Sequence, residues 1–200
     1  ALRKKLPNGK ISEIKERILC RASAPEAREN RPQESGEQSA SKAVPDRILA
    51  INNKKDEKFL REKTADFDFS KFTGQEVRAL IARMKKTMRL VHGIGLAANQ
   101  IGLSYKIFVA EVSAERGGNN KFYALFNPKI EKSGKEKSIA EEGCLSVPGE
   151  GDVQKIFGRV ERPERIVVSA VDKNGKPLKL KVWGLLARVF QHEIDHLNGI

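Results

Sequence analysis

Residues 184–197 read GLLARVFQHEIDHL, a run in which apolar side chains recur at helical spacing. We therefore expect a helix over residues 185–197 that is closed by Gly199. His192 and His196 lie four residues apart, so a helix would project both imidazoles from one face toward a single metal ion. Glu193 directly follows the first histidine, where its carboxylate would handle the proton of a bound water. Two surface histidines without a metal are the alternative interpretation.

A catalytic metal site of this type requires three protein ligands and one open position for water. The sequence ends four residues after His196, so the third ligand is expected upstream. The favoured candidate is Cys144 in the segment EEGCLS (residues 141–146), where Gly143 would let the backbone come close. A lone cysteine is otherwise more often an inert buried residue. The chain has two cysteines, which make no disulfide framework and favour a reducing compartment.

A glycine-rich segment, GIGLAANQIG, occupies residues 93–102. It lacks the glycine spacing of dinucleotide-binding loops and the Gly-Lys-Ser/Thr ending of phosphate-binding loops, so nucleotide binding is not expected there. Its glycines would allow another chain to approach the backbone closely, and Gln100 offers an amide donor. A simple turn is the alternative interpretation.

The composition is that of a globular, somewhat polar protein. Hydrophobic residues make up 39% of the 200 residues and charged residues 32%. The sequence contains no apolar run of membrane-spanning length and no secretory signal of the usual kind. The net charge of +12 implies affinity for polyanions. Because aromatic residues are only 6% and the basic residues are spread out, a solvated basic surface is favoured over specific nucleic-acid recognition.

Residues 1–45 differ from the rest of the chain. They hold ten basic and six acidic residues, a net charge of +4, which leaves +8 for residues 46–200. Between Arg21 and Ala43 no apolar residue is larger than alanine, a composition typical of disordered segments. We expect a basic, disordered extension with a short helix near residues 10–20. A transit peptide is disfavoured by the six glutamates.

The secondary-structure signals after residue 45 predict an α+β fold with a largely antiparallel sheet, because strands precede the final helix without βαβ alternation. Thr73 and Glu76 form the pattern of a capping box ahead of a helix that ends near His92. Strand-like runs cover residues 105–112 and 121–126, the second closed by Asn127-Pro128. A hairpin joins residues 165–171 to 178–182 through a tight turn at Asn174-Gly175.

Three segments in this order, GIGLAANQ (93–100), EEGCLSVPG (141–149) and QHEIDHLNG (191–199), resemble the three signature motifs of the peptide deformylases. The resemblance also covers the hairpin and extends over about residues 46–200. It implies a fold of mostly antiparallel sheets packed around a C-terminal metal-binding helix. It further implies an enzyme that removes the formyl group from N-formylmethionine of newly made proteins and releases formate.

The resemblance also implies a role for each matched residue. Cys144, His192 and His196 would hold the metal, and a hydroxide on that metal would attack the formyl carbon. Glu193 would be the general acid/base. Gln100 and the backbone N–H of Leu145 would form the oxyanion hole.

Substrate contacts and the metal follow from the same resemblance. The peptide backbone would pair with Ile94 and Gly95 on one side and with Gly143 on the other. Leu185 and Val189, together with Ile94, are candidates for the methionine pocket. The implied metal is Fe(II), with Zn(II), Ni(II) or Co(II) also able to occupy the site. Asp195 and Arg162 are expected to pair in support of the metal helix.

The sequence departs from the family pattern at three places. Residues 1–45 have no counterpart, the segment between Pro148 and Val160 is about half a dozen residues longer than usual, and the family usually continues beyond Ile200, so the catalytic domain is expected to be truncated. Expected partners are formyl-Met nascent peptides and the ribosome surface, with no membrane. A monomer in the bacterial cytoplasm is the favoured setting, an organelle the weaker one.

Two other functions fit parts of the sequence. A general HExxH endopeptidase would share the two histidines and Glu193, although a cysteine ligand argues against it. A non-enzymatic basic protein that binds ribosomes or RNA would explain the charge of +12.

Overall fold

The computed structural model describes residues 46–114, 118–149 and 155–200. The predicted extension, residues 1–45 with its short helix, lies outside the described residues. The confirmed α+β architecture is built from three α-helices and seven β-strands within the described ranges. In chain order they are α1 (Lys54–Leu60), α2 (Gly74–Leu90), β1 (Gly95–Ala97), β2 (Ile107–Ala114), β3 (Gly118–Ser133), β4 (Lys137–Pro148), β5 (Lys155–Pro163), β6 (Arg165–Val171), β7 (Pro177–Trp183) and α3 (Gly184–Leu197).

A five-stranded antiparallel sheet in the order β1-β2-β3-β6-β7 separates the two main helices. Along β6 the residues that face α3 alternate with residues that face away, as expected for a strand with period two. The core under α3 joins Ile166, Val168 and Ala170 of the sheet to Ala187 and Phe190 of the helix. The opposite face of the sheet packs against α2 through a second core that includes Val77, Met84, Met88, Leu96, Ile107, Val109 and Phe126.

The capping box at the start of α2 is confirmed. The Thr73 hydroxyl accepts a hydrogen bond from the Glu76 N–H at 3.2 Å, and the Thr73 N–H donates to the Glu76 carboxylate at 2.7 Å. This cap fixes where α2 begins. The helix ends at Leu90, just before the glycine-rich segment, which becomes β1 and a short 3₁₀ helix, Ala98–Ile101.

Two local predictions are wrong. β3 does not end at Asn127-Pro128; Asn127 takes a φ of 50° and its side chain exchanges hydrogen bonds with the backbone of Phe67, so the strand bends and continues along β6. The β6–β7 connection is also longer than a tight turn. Only Gly175 has a positive φ there, and the Asp172 carboxylate closes the loop by accepting from the N–H groups of Asn174 and Lys176.

A second, two-stranded sheet pairs β4 with β5 and carries Cys144. Sequence patterning does not predict this hairpin, because exposed residues occur on both of its faces. Its strands pair in antiparallel register, with Gly143 opposite Phe157. The hairpin, the segment from β1 to the 3₁₀ helix, and α3 are the three elements that position the site. Within the described ranges, no helix is both long and apolar enough to cross a membrane.

Candidate active site

Cys144, His192 and His196 come together although they lie on separate elements. The first comes from β4 and the two histidines from one face of α3, and their ligand atoms all lie within 4.8 Å of one another. The Sγ of Cys144 is 3.1 Å from Nε2 of His196. One thiolate and two imidazoles form a three-ligand set that suits a zinc- or iron-type cation with one position left open.

Burial controls the protonation of these ligands. Burial raises the pKa of the Cys144 thiol to about 11, although hydrogen bonds from the N–H groups of Ser146 and Val147 act to lower this pKa. Burial and the charge of His192 lower the pKa of His196 to about 3. Near neutral pH His196 is therefore already in the neutral form that a metal requires, whereas the Cys144 thiol still carries its proton.

Glu193 lies beside these ligands with its carboxylate enclosed by protein. The residue is 4% exposed, and its Oε2 has no hydrogen-bond partner among the described residues. Burial raises the pKa of Glu193 well above its usual range, although the charge of Arg162 opposes this. A buried carboxylate oxygen without a partner is costly. The arrangement therefore fits a group that supplies positive charge or a proton at this point, as a metal-bound water would.

Gly95 makes room for the Glu193 carboxylate. A Cβ atom at position 95 would overlap Oε1 of Glu193 and lie 2.8 Å from its Cδ, so only glycine leaves this space to the acid. The sequence indicated the close approach of a backbone here, but not that the approaching group is Glu193.

The amide of Gln100 is held in one orientation. Its Oε1 accepts a hydrogen bond from the Ala97 N–H at 2.9 Å, which turns Nε2 toward Ser146 Oγ at 3.2 Å and Cys144 Sγ at 3.9 Å. The donor end of the amide therefore lies next to the three-ligand cluster. Leu145 follows Cys144 in β4, and its side chain packs near Gly93 at the edge of the cleft.

Sequence reasoning missed Glu142, which connects the cluster to two arginines. Its Oε2 lies 3.0 Å from His192 Nδ1, and its carboxylate accepts two hydrogen bonds from Arg162 and one from Arg188. Burial alone would raise the pKa of Glu142, but these hydrogen bonds outweigh it and lower the pKa to about 2. Glu142 is therefore ionised near neutral pH and orients the His192 ring.

Arg162 also donates to Asp195 at 2.7 Å, so this pair has the geometry that the sequence suggested. Arg188 was not singled out from the sequence, although a signal existed. It precedes His192 by four residues and therefore lies on the metal-facing side of the helix.

The residues expected to contact substrate line one cavity of about 280 Å³. The cavity opens beside His192 and Glu193, and its walls include Ile94, Gly95, Gly143, Leu185 and Val189. Phe157 is a lining residue that sequence reasoning missed; it is 60% exposed and lies over Gly143, where a Cβ would be 2.8 Å from its ring. Cross-strand pairing in the β4–β5 hairpin brings the two together.

Comparison with known proteins agrees with this arrangement. The family model described as polypeptide deformylase matches residues 46–200. Peptide deformylase 2 of Gloeobacter violaceus is 42% identical over 125 residues, which cover 62% of this chain and 63% of that protein. A peptide deformylase of Picosynechococcus is 44% identical over 125 residues, with the same two coverages. The chain thus matches just under two thirds of the length of these curated relatives.

Solved structures extend the comparison to the fold. A probable peptide deformylase from Synechococcus phage S-SSM7 has a TM-score of 0.65 and 39% identity, covering 76% of this chain and 94% of that one. A class I type b peptide deformylase from Acinetobacter baumannii has a TM-score of 0.67 and 28% identity, covering 79% and 96%. With the family model matching residues 46–200, the chain belongs to the polypeptide deformylase family.

Proposed function

We propose that this protein removes the N-formyl group from N-formylmethionine at the start of newly made proteins and releases formate. The observation that carries the proposal is the convergence of Cys144, His192 and His196 beside the buried carboxylate of Glu193. Membership of the deformylase family supports the substrate class. Because the matched region covers 63% of the length of the two curated relatives, we propose this activity for the whole protein.

Cys144, His192 and His196 would hold one divalent metal ion. When bound, such an ion acts as a Lewis acid and makes a water acidic enough to supply hydroxide near neutral pH. We propose Fe(II) as the working ion because the resemblance to the deformylases implies it. Zn(II), Ni(II) and Co(II) would be able to substitute, because all four ions accept a mixed thiolate and imidazole set. Glu142 would keep His192 oriented for this task through the contact at 3.0 Å.

Glu193 would move the proton during hydrolysis. Its carboxylate would take a proton from the attacking water and deliver it to the nitrogen of the leaving amine, so that water and the formamide become formate and a free N-terminal methionine. The Gln100 amide, fixed by the Ala97 N–H, would donate to the oxygen that becomes negative, with the Leu145 N–H as second donor. Such a donor is typically worth about 2.7–4 kcal/mol.

The substrate would bind along β1. This strand lies at the edge of the five-stranded sheet and, among the described strands, pairs with β2 alone, so a peptide in extended form could add to its other side at Ile94 and Gly95. Gly143 would contact the peptide from the β4–β5 hairpin. The methionine side chain would enter the apolar part of the cavity at Leu185 and Val189.

The substrates would be nascent formyl-Met peptides, and the ribosome surface would be a partner on account of the net charge of +12. The protein would act as a monomer. A bacterial cytoplasm is the proposed setting, because the relatives above include bacterial proteins. Asp195 and Arg162 would support the metal helix through their ion pair at 2.7 Å.

Formate release from formyl-Met-Ala-Ser, measured in anaerobic buffer with Fe(II) or Ni(II), tests the proposal. We expect turnover that falls by several orders of magnitude in Glu193→Ala, because the proton carrier is lost, while casein stays intact. Wild-type protein that contains metal yet releases no formate would contradict the proposal. Cleavage of casein would instead indicate an endopeptidase.

A further inference from the structure

The sheet face that packs against α2 continues beyond that helix onto β6 and β7, where lysines of β3 and β7 flank the outward residues of β6. On β6 the outward residues are Val167 and Ser169, because Ile166, Val168 and Ala170 pack under α3. The register places Ser169 between Lys129 of β3 and Lys179 of β7, and Val167 between Lys132 and Lys181. We call these outward residues, together with Arg165 and Trp183, the basic strip.

One end of the basic strip forms a depression of about 430 Å³. Its walls carry three cations, Lys132, Arg165 and Lys181, and no carboxylate among the described residues. Trp183, the single tryptophan of the chain, stands at the rim and is 58% exposed. An exposed indole next to three positive charges is an unusual combination for a solvated surface, since large aromatic residues normally bury most of their area.

The charges of the depression are not neutralised locally. No ion-pair partner is found for Lys132, Arg165 or Lys181 within the part of the chain that the structure describes. Glu131 is the one acidic residue in β3, β6 and β7; its carboxylate lies 3.6 Å from the Lys129 Nζ and accepts a hydrogen bond from Ser169. The basic strip therefore holds five cations against one carboxylate, and its excess charge lies in and beside the depression.

We propose that the basic strip binds single-stranded RNA, with a base stacked on Trp183 and phosphates contacting Lys132, Arg165 and Lys181. Lysine and arginine supply the charge that phosphodiesters require, and a base stacked on an aromatic ring adds affinity without sequence preference. Lys179 and Lys181 lie two residues apart on one strand, a separation of about 6.8 Å that lets neighbouring phosphates be contacted in series.

The shape of the surface favours RNA over an anionic membrane. A lipid bilayer is flat on this scale and would span a concave site, whereas an unpaired nucleotide can enter it. The outward residues between the lysines, Val167 and Ser169, offer no projecting apolar group to insert into lipid, and the exposed ring of Trp183 lines the depression, where an entering base could stack on it. The proposal stands on this surface alone and does not rest on the deformylase activity.

The single tryptophan allows a direct test with the full chain. We expect a decameric oligo(U) to quench Trp183 fluorescence, with an affinity that falls roughly twentyfold between 50 and 200 mM salt for three phosphate contacts. The double variant Lys132→Glu/Lys181→Glu should weaken binding on the order of tenfold or more. With labelled oligo(U) and anisotropy detection, Trp183→Ala should lose about fivefold or more and Trp183→Phe should retain most of the affinity.

The matched control is Lys54→Glu/Lys55→Glu, which makes the same change in net charge at two exposed residues of α1. It should retain affinity within about twofold, and both double variants should still release formate from formyl-Met-Ala-Ser, unlike Glu193→Ala. Thermal unfolding checks that each variant folds, and Lys132→Gln/Lys181→Gln replaces the charge reversal if it does not. The proposal would be overturned if the control variant weakened binding equally, or if Trp183 fluorescence did not change at saturation. It would also be overturned if uridine monophosphate bound with equal affinity, or if the protein bound only vesicles of phosphatidylcholine and phosphatidylglycerol.

Discussion

Gly95 and Glu193 show, at the scale of single residues, how the site depends on space as well as on charge. The Glu193 carboxylate occupies the volume that any side chain at position 95 would need. The acid is buried, so it has no alternative position in solvent to which it could move without breaking the packing of α3. Gly95, which lies on β1, therefore provides the space in which the Glu193 carboxylate lies beside the three candidate ligands.

We predict that Gly95→Ala lowers the turnover of formyl-Met-Ala-Ser by about tenfold to a thousandfold, because the new methyl group displaces the carboxylate that moves the proton. Gly158→Ala is the matched control, since a Cβ at Gly158 would meet nothing within 4 Å. Steady-state kinetics on both variants at equal metal content checks this. Equal turnover in the two would show that Glu193 need not keep its position.

At the scale of elements, Arg188 fastens α3 to the β4–β5 hairpin. Its guanidinium donates to the Glu142 carboxylate at 2.7 Å, to the Val160 carbonyl at 2.9 Å, and to both oxygens of Ser138 at 2.9 and 3.0 Å. The arginine is buried, so all of these contacts are shielded from water. The hairpin that carries Cys144 is therefore held against the helix that carries His192 and His196.

We predict that Arg188→Met lowers the free energy of unfolding by about 2–3 kcal/mol. The substitution removes a donor from the buried Glu142 carboxylate and from three further hydrogen-bond acceptors. Arg89→Met is the control. Arg89 also pairs with a carboxylate, Glu111 at 2.6 Å, but its side chain is 57% exposed, so its loss should cost less than about 1 kcal/mol. Urea unfolding of both variants measures the difference, and equal costs would contradict the assigned role of Arg188.

At the scale of the whole molecule, a bound metal would join parts of the chain that are far apart in sequence. Cys144 reaches the cluster from the two-stranded sheet, whereas the histidines belong to α3, which packs on the five-stranded sheet. A ligand that binds only the folded state stabilises it by about 2.7 kcal/mol at a hundred times its dissociation constant. Metal removal should therefore lower the melting temperature of the entire domain.

We predict that this metal-linked stabilisation grows as the pH rises from 7 to 9. Metal binding must remove the proton of the Cys144 thiol, whose pKa in the metal-free fold is about 11, so affinity should rise by up to about tenfold per pH unit. His196 adds no such dependence, because its pKa of about 3 leaves it neutral throughout this range. Calorimetry with Ni(II) or Zn(II) in buffers of different ionisation enthalpy measures the proton released. Metal binding that releases no proton would argue against Cys144 as a ligand.

The same pKa sets the expected behaviour of the metal-free protein at high pH. The folded-state pKa of Cys144 lies above its ordinary value of 9.0, so the unfolded chain loses this proton first. Stability of the metal-free fold should therefore be complete below about pH 9 and decline as the pH rises toward 11.

The sequence alone determined the features whose signals are local along the chain. The helical period and the spacing of His192 and His196 predicted α3 and its metal-facing side, and the Thr73–Glu76 pair predicted the start of α2. Counting scarce ligand residues pointed to Cys144. The inferences about α2 and α3 succeed because a helix or a cap is stabilised by residues within four positions of one another.

Only the tertiary structure decided what surrounds those residues. The β4–β5 hairpin has no alternating pattern, and Asn127 continues β3 through contacts with Phe67, which is distant in sequence. Glu142 meets Arg188 and His192 across 46 and 50 residues, and the basic strip exists only because β6 pairs with both β3 and β7 and so holds the lysines of those two strands in register. Such pairings depend on long-range packing, which no local pattern of residues encodes.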